Sequence, residues 1–278
     1  MIDTHIHVVP PRLPGVGTLN AVLEEPTDIR AEALRREMQA AGVTQALAMG
    51  CCGAPDDDPL GVSGTLAVAR TVPGLYAVGV ADPRRTEPEH LQRVEAVLAS
   101  KQVRALKGYL GYLPFGPDHA GYRPYYELAE RHGLPFVFHT GDTYSAVARL
   151  RFAHPLGVDD VAVDHPGVKF VLAHLGNPWL TDAAEVVYKN VNVWADLSGL
   201  AVGDGAAFTA QERQETLQEA RESLRRAFRY AERPNRFLYG SDWPLAPMAA
   251  YRDFIRDAIP EPYHAQVFED NARTLFRI

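Results

Sequence analysis

Eight times along 278 residues, a short apolar run gives way to an amphipathic or polar stretch, and this alternation limits the fold more than any other feature. The apolar runs are 1–9, 43–50, 75–82, 103–109, 135–139, 168–174, 192–198 and 236–242. Strands that alternate with helices assemble into a parallel sheet. Near-continuous apolar strands are covered on both faces. Eight such units in a chain of this length predict a single α/β domain over residues 1–278, a closed (β/α)8 TIM barrel. A doubly wound open sheet is the alternative, but no glycine-rich phosphate turn follows the first strand.

Local signals divide the intervening stretches. Thr27 reads as an N-cap for a helix running to Ala41, with Leu34 and Met38 on its buried side and Gly42 as its stop. Thr86-Glu87-Pro88-Glu89 has the pattern of a capping box ahead of a helix ending near Ser100. Further helices are predicted through 66–70, from Tyr122 to His132 with Gly133 as stop, and from Ala210 to Glu232. The mixed charges of that long helix predict a solvated outer face. Pro247–Ala258 and Tyr263–Phe276 close the chain.

Bulk properties remove several classes of function. A net charge of −7 without a Lys/Arg run argues against nucleic acid or an anionic membrane as partner. No apolar run approaches the ~20 residues that cross a bilayer, and no basic segment precedes an apolar one at the N-terminus. The two cysteines, Cys51 and Cys52, are adjacent and read as reduced thiols at a strand end. A cytoplasmic location is the resulting expectation.

In a barrel of this kind, functional groups gather at the C-terminal ends of the strands. The first strand, Met1-Ile2-Asp3-Thr4-His5-Ile6-His7, puts Asp3, His5 and His7 on one face by simple alternation. Two imidazoles at that spacing can grip one metal ion. The fourth strand carries Lys107 and, on the same face, Tyr109. The fifth ends in His139, the sixth in His174, the eighth in Asp242. Imidazole and carboxylate are the usual ligands of a divalent metal such as zinc. Singly, each has an ordinary structural explanation: a satisfied core histidine, a turn cap, a lysine reaching the rim. Their coincidence at strand ends points to a metal site. Asp196, on the seventh strand, reads either as a hydrogen-bond acceptor behind that site or as a turn residue. The remaining histidines, His90, His119, His132, His154, His165 and His264, read as surface or packing residues; a place at the mouth is the lesser alternative for His119 and His154, which sit in loops after strands.

These motifs resemble a family. Asp3-Thr4-His5-Ile6-His7, Phe138-His139-Thr140-Gly141, Leu172-Ala173-His174-Leu175-Gly176 and Tyr239-Gly240-Ser241-Asp242-Trp243-Pro244 together resemble the amidohydrolase superfamily, as does the closing Asp270-Asn271-Ala272-Arg273-Thr274-Leu275-Phe276. The branch most similar is the amidohydrolase 2 group, with its aminocarboxymuconate-semialdehyde decarboxylase-like enzymes. The resemblance implies one Zn2+ held by His5, His7, His139 and Asp242, with His174 free to polarise substrate or move protons. Lys107, with Tyr109, would bind a substrate carboxylate or oxyanion. A second metal, bridged by carboxylated Lys107, is the two-metal alternative within the superfamily. Barrels of this branch are often dimers, which makes a homodimer one expected assembly.

The expected chemistry is hydrolysis of a small-molecule amide, lactone or ester by metal-activated water, with Asp242 and His174 as catalytic groups. The alternative is non-oxidative decarboxylation of an aromatic or unsaturated carboxylic acid. Substrate selection is expected from loops 8–26, 51–60, 110–121, 141–156 and 199–210.

Overall fold

The computed structural model describes residues 1–201 and 209–278; residues 202–208 lie outside the described residues. Eight strands follow one another in a single parallel sheet, in chain order. They are β1 (Ile2–Ile6), β2 (Gln45–Met49), β3 (Leu75–Val80), β4 (Val103–Gly108), β5 (Pro135–Phe138), β6 (Lys169–Leu172), β7 (Val193–Asp196) and β8 (Phe237–Leu238). Between and after them lie α1 (Thr27–Ala41), α2 (Ser63–Ala69), α3 (Pro88–Ala99), α4 (Arg123–His132), α5 (Leu150–Ala153), α6 (Leu156–Asp164), α7 (Leu180–Lys189), α8 (Ala210–Ala231), α9 (Met248–Ala258) and α10 (Asn271–Phe276). This is a (β/α)8 barrel, as the alternation predicts.

Closure is made by the chain just beyond β8. The amide of Thr4 donates to the Tyr239 carbonyl at 2.9 Å, that of Asp242 to the His5 carbonyl at 2.8 Å, and that of His7 to the Trp243 carbonyl at 2.7 Å. The seam therefore runs through the two segments that carry His5, His7 and Asp242. Backbone pairing at closure fixes the spacing of those side chains.

The strands are largely buried on both faces, which explains their mostly apolar character. Leu47, Met49, Val78, Ala105, Val137, Val171 and Leu238 pack together with Leu275 and Phe276 of α10. Lys107 and His139 continue the Ala105 and Val137 faces and so point the same way. The opposite faces, including Ala46, Ala48, Leu106, Phe136, Phe138 and Phe170, pack under the helices. Tyr122 and Tyr126 meet Phe136 edge to face at 6.0 and 5.0 Å.

Helix starts differ from the sequence expectation at several points. Pro26 occupies the N-cap position of α1, so Thr27 is its first residue rather than its cap. No capping box forms at 86–89: Glu87 sits at the N-cap with no side-chain bond, and Pro88 opens α3 with a pre-set φ. The capping box in the structure belongs to α8, where Thr209 and Glu212 bond reciprocally. Tyr122 ends a short 3-10 turn before α4. Between 263 and α10 the chain carries a π-type turn at Gln266–Asp270. Gly42 and Gly133 do stop their helices in the left-handed conformation. Among the described residues, no helix is long and apolar enough to cross a membrane.

Candidate active site

The C-terminal ends of the strands surround a cleft of about 790 Å³, part of it open to solvent. His5, His7, Lys107, Tyr109, His139, His174 and Asp242 all line it. The sequence-predicted residues thus converge on one cavity, although they do not form one equidistant cluster.

Asp242 is the centre. One carboxylate oxygen, Oδ1, lies 3.4 Å from His7 Nε2 and 3.8 Å from His5 Nε2. Its other oxygen, Oδ2, is 4.0 Å from His174 Nδ1. Burial pushes the Asp242 carboxyl up, but the close His7 imidazole, with those of His174 and His5, outweighs it and holds the group well below the ordinary carboxylate range. Asp242 itself has φ +60, a left-handed backbone unusual for a non-glycine residue. Such strain costs about 1–3 kcal/mol and survives where the surroundings over-determine it; here the closing bond from its amide to His5 does so.

The donor set fits a divalent cation. Tetrahedral ligands about 2.0–2.1 Å from a zinc-sized ion lie roughly 3.4 Å apart. The separations 3.4 and 3.8 Å among His5, His7 and Asp242 match that spacing. Asp242 Oδ1, the atom that faces both imidazoles, is buried without a hydrogen-bond partner among the described residues, as suits a carboxylate oxygen offered to a cation. A second group of possible ligands, His5, His174 and Asp196, shares His5 with the first.

His139 stands outside both groups. Its Nε2 contacts the Asp142 carbonyl at 2.8 Å, and its ring lies 5.0 Å from that of His174 and 4.8 Å from that of Tyr112. Burial, with His174 and Lys107 nearby, holds it neutral to well below the usual imidazole range. His174 reaches the cleft by an irregular route. β6 ends at Leu172, and a turn follows in which His174 and Leu175 have φ +60 and +42. Strand alternation alone would send His174 to the face opposite Val171 and Ala173; the left-handed turn brings it back.

Lys107 is fully buried, its Nζ has no hydrogen-bond partner among the described residues, and it lies 5.4 Å from the Tyr109 ring centroid. Burial lowers its pKa to about 8, offset in part by Asp196 and Asp242. Tyr109 presents its ring rather than its hydroxyl, because that hydroxyl donates to the Gly50 carbonyl at 2.8 Å. Asp3 lies deeper: its Oδ1 accepts the amides of His5 and Ser241 at 3.1 and 3.0 Å, tying β1 to the β8 end. Asp196 takes the role of acceptor, with Oδ2 at 2.9 Å from His5 Nδ1. His119 and His154 do not line the cleft; each accepts a nearby backbone amide in its own loop.

Several cleft residues escaped the sequence reading. Leu13, Val16 and Leu19 after β1, Tyr112 after β4, Tyr144 after β5 and Leu245 after β8 line an apolar side. Asp142 and Asn177 face it with polar groups. The loops are clasped by the Tyr144 amide donating to Tyr112 Oη at 3.0 Å and the Ser145 hydroxyl donating to the Pro14 carbonyl at 2.7 Å. Part of the expected pocket loop 199–210 falls outside the described residues.

Residues 2–278 match the family model described as amidohydrolase. No curated protein matches the chain. Among solved structures, an amidohydrolase from Burkholderia multivorans with bound zinc is 20% identical, with a TM-score of 0.74 and coverage of 100% of this chain and 99% of that one. A 5-carboxyvanillate decarboxylase from Sphingomonas paucimobilis is 18% identical, with a TM-score of 0.62 and the same coverage. A probable 2-pyrone-4,6-dicarboxylic acid hydrolase from Acinetobacter baumannii is 14% identical, with a TM-score of 0.66 and again 100% and 99% coverage.

Proposed function

The chain belongs to the amidohydrolase family, and from that premise we propose that it is a metal-dependent, non-oxidative decarboxylase of a small hydroxylated aromatic or unsaturated carboxylic acid. The observation that carries this reading is Lys107, a fully buried ammonium with no hydrogen-bond partner among the described residues, beside the Asp242 cluster. A buried cation needs an anion, and a substrate carboxylate supplies one. By their names, two of the similar structures act on carboxylated rings, a hydroxylated aromatic acid and a dicarboxylated pyrone. The sequence reading placed hydrolysis first; the decarboxylase among the similar structures, together with the buried Lys107, favours its alternative.

In this reading His5, His7 and Asp242 would hold one divalent cation, and His139 would join them as the fourth ligand by exchanging its Asp142 carbonyl contact for the ion. When bound, such an ion supplies Lewis acidity toward substrate oxygens and orients them. Lys107 binds the carboxylate, with the Tyr109 and Tyr112 rings against the substrate's flat face. His174 accepts the hydrogen bond of the substrate hydroxyl, and Asp242 passes a proton to the carbon that bears the carboxylate. The bond from that carbon to the carboxylate then breaks. Its electron pair returns to the ring or double bond, carbon dioxide leaves, and solvent replaces the proton consumed. The apolar side of the cleft excludes water from the protonated carbon.

The named hydrolase among the similar structures favours a second reading, hydrolysis of a carboxylated lactone in the same cleft. A panel of hydroxybenzoic and unsaturated hydroxy acids, incubated with the metal-loaded chain, separates the two. The proposal expects carbon dioxide release that stops on chelation. Ring opening of carboxylated lactones without carbon dioxide would replace it with hydrolysis.

A further inference from the structure

We propose that Ser198 and Asp196 act as a pair that sets the tautomer of His174, placing the ring proton on Nδ1 and leaving Nε2 as the lone-pair nitrogen available to the cleft.

The argument is one of donors and acceptors. Asp196 is buried, and its Oδ1 receives the backbone N–H groups of His174 at 3.1 Å and of Ser198 at 3.0 Å. The Ser198 hydroxyl donates to the same oxygen. Oδ2 meets His5 Nδ1 at 2.9 Å. Every contact of this carboxylate calls for an acceptor. A serine hydroxyl has one hydrogen, and here it is given to Asp196. What Ser198 Oγ turns toward His174 Nδ1, 2.9 Å away, is therefore a lone pair, which an N–H must meet.

The other acceptor near Nδ1, Asp242 Oδ2, stands at 4.0 Å, beyond hydrogen-bond range. Ser198 is fully buried, so water does not replace it. Gly199 follows with φ +67, and a Cβ there would come within 2.6 Å of His174 Nδ1. A glycine at that position keeps the Ser198 approach open. Asp196 and Ser198 lie two apart on the inward face of β7 and its extension, the face shared by the seam residues. One carboxylate thus orients two imidazoles: His5 directly and His174 through a hydroxyl. Outer partners of this kind fix ring orientation and tautomer at metal sites.

The chemical consequence concerns substrate choice. A neutral His174 held in this tautomer accepts a hydrogen bond from the substrate and cannot give one. It takes a substrate bearing a hydroxyl at that point and rejects the methyl ether of the same molecule. The tautomer is a property of the chain itself, independent of whether the reaction is decarboxylation or hydrolysis.

The test is a long-range proton–nitrogen correlation spectrum of the full chain, labelled with 15N histidine and freed of metal, at neutral pH. His174 is assigned by the signal lost in His174→Gln. The proposal expects a protonated Nδ1 and a bare Nε2 in the wild type. It expects Ser198→Ala to move the proton to Nε2, and Ser198→Thr, which keeps the hydroxyl, to restore Nδ1–H. On the substrate found, kcat for Ser198→Ala falls about 10–100-fold with KM little changed. A wild-type His174 protonated at Nε2 overturns the proposal, as does an unchanged tautomer in Ser198→Ala. If that variant fails to fold, the wild-type spectrum decides alone.

Discussion

Replacing Lys107 with methionine should stabilise the metal-free protein while destroying its function. The wild-type ammonium is fully buried, and burial lowers its pKa from 10.5 to about 8. At about 1.4 kcal/mol per pKa unit, that difference amounts to about 3 kcal/mol of penalty against the folded state. The sign follows from proton counts. Below pH 8 both states hold the proton, and the folded state bears the full cost. Between pH 8 and 10.5 the folded state has released a proton that the unfolded state retains, so stability rises with pH by about 1.4 kcal/mol per unit. Above 10.5 the cost is gone. Methionine keeps the apolar stem and removes the charge. Lys107→Met should therefore exceed wild type by about 3 kcal/mol at pH 7, and the gap should close as pH approaches 10.5. Urea unfolding followed by tryptophan fluorescence reads this as a midpoint shift of roughly 1 M for a slope of about 3 kcal/mol/M. Because both proteins share every other titrating group, their difference isolates Lys107. A variant less stable than wild type at pH 7, or a gap that ignores pH, would refute the reasoning.

Other expectations follow from the same geometry. His7→Ala should leave the barrel folded but lose bound metal, measured by elemental analysis of the purified protein, because it removes one of the three closely spaced donors. Asp242→Asn should lower kcat about 10²–10⁴-fold, the usual contribution of a proton-transfer group. For a carboxylated substrate, KM should climb as pH rises through about 8, where Lys107 loses its charge; a flat KM from pH 7 to 9.5 would exclude Lys107 as the carboxylate's partner. Gly199→Ala should lose about 1–2 kcal/mol of stability from its left-handed backbone alone. It should also depress turnover by crowding His174 Nδ1.

The barrel was legible in the sequence because strands buried on both faces are apolar along most of their length, as residues 46–49 and Leu75–Val80 are. His5 and His7 were legible because alternation on β1 needs no tertiary information. His174 was less so: its residue type marked it, but its direction depends on a left-handed turn that no alternation rule contains. Ser198 carried no signal, since a serine two residues past an aspartate is commonplace until both meet an imidazole. Tyr112 and Tyr144 were hidden for a different reason. Their places are set by a bond between two loops 32 residues apart, and such contacts arise only once the barrel has closed. The capping box expected at Thr86 gave way to Pro88 at the first helical position, a stronger local constraint than a side-chain cap.

The central claim is that the Asp242 cluster removes a carboxylate rather than adding water. The direct measurement follows a 13C-carboxyl hydroxy acid, turned over by the metal-loaded enzyme in D2O containing 18O. The account predicts that the label appears as carbon dioxide and bicarbonate, with one deuterium on the carbon that lost it and no 18O fixed in the organic product. Product that retains its labelled carboxylate and carries 18O at a newly opened acyl carbon would contradict it.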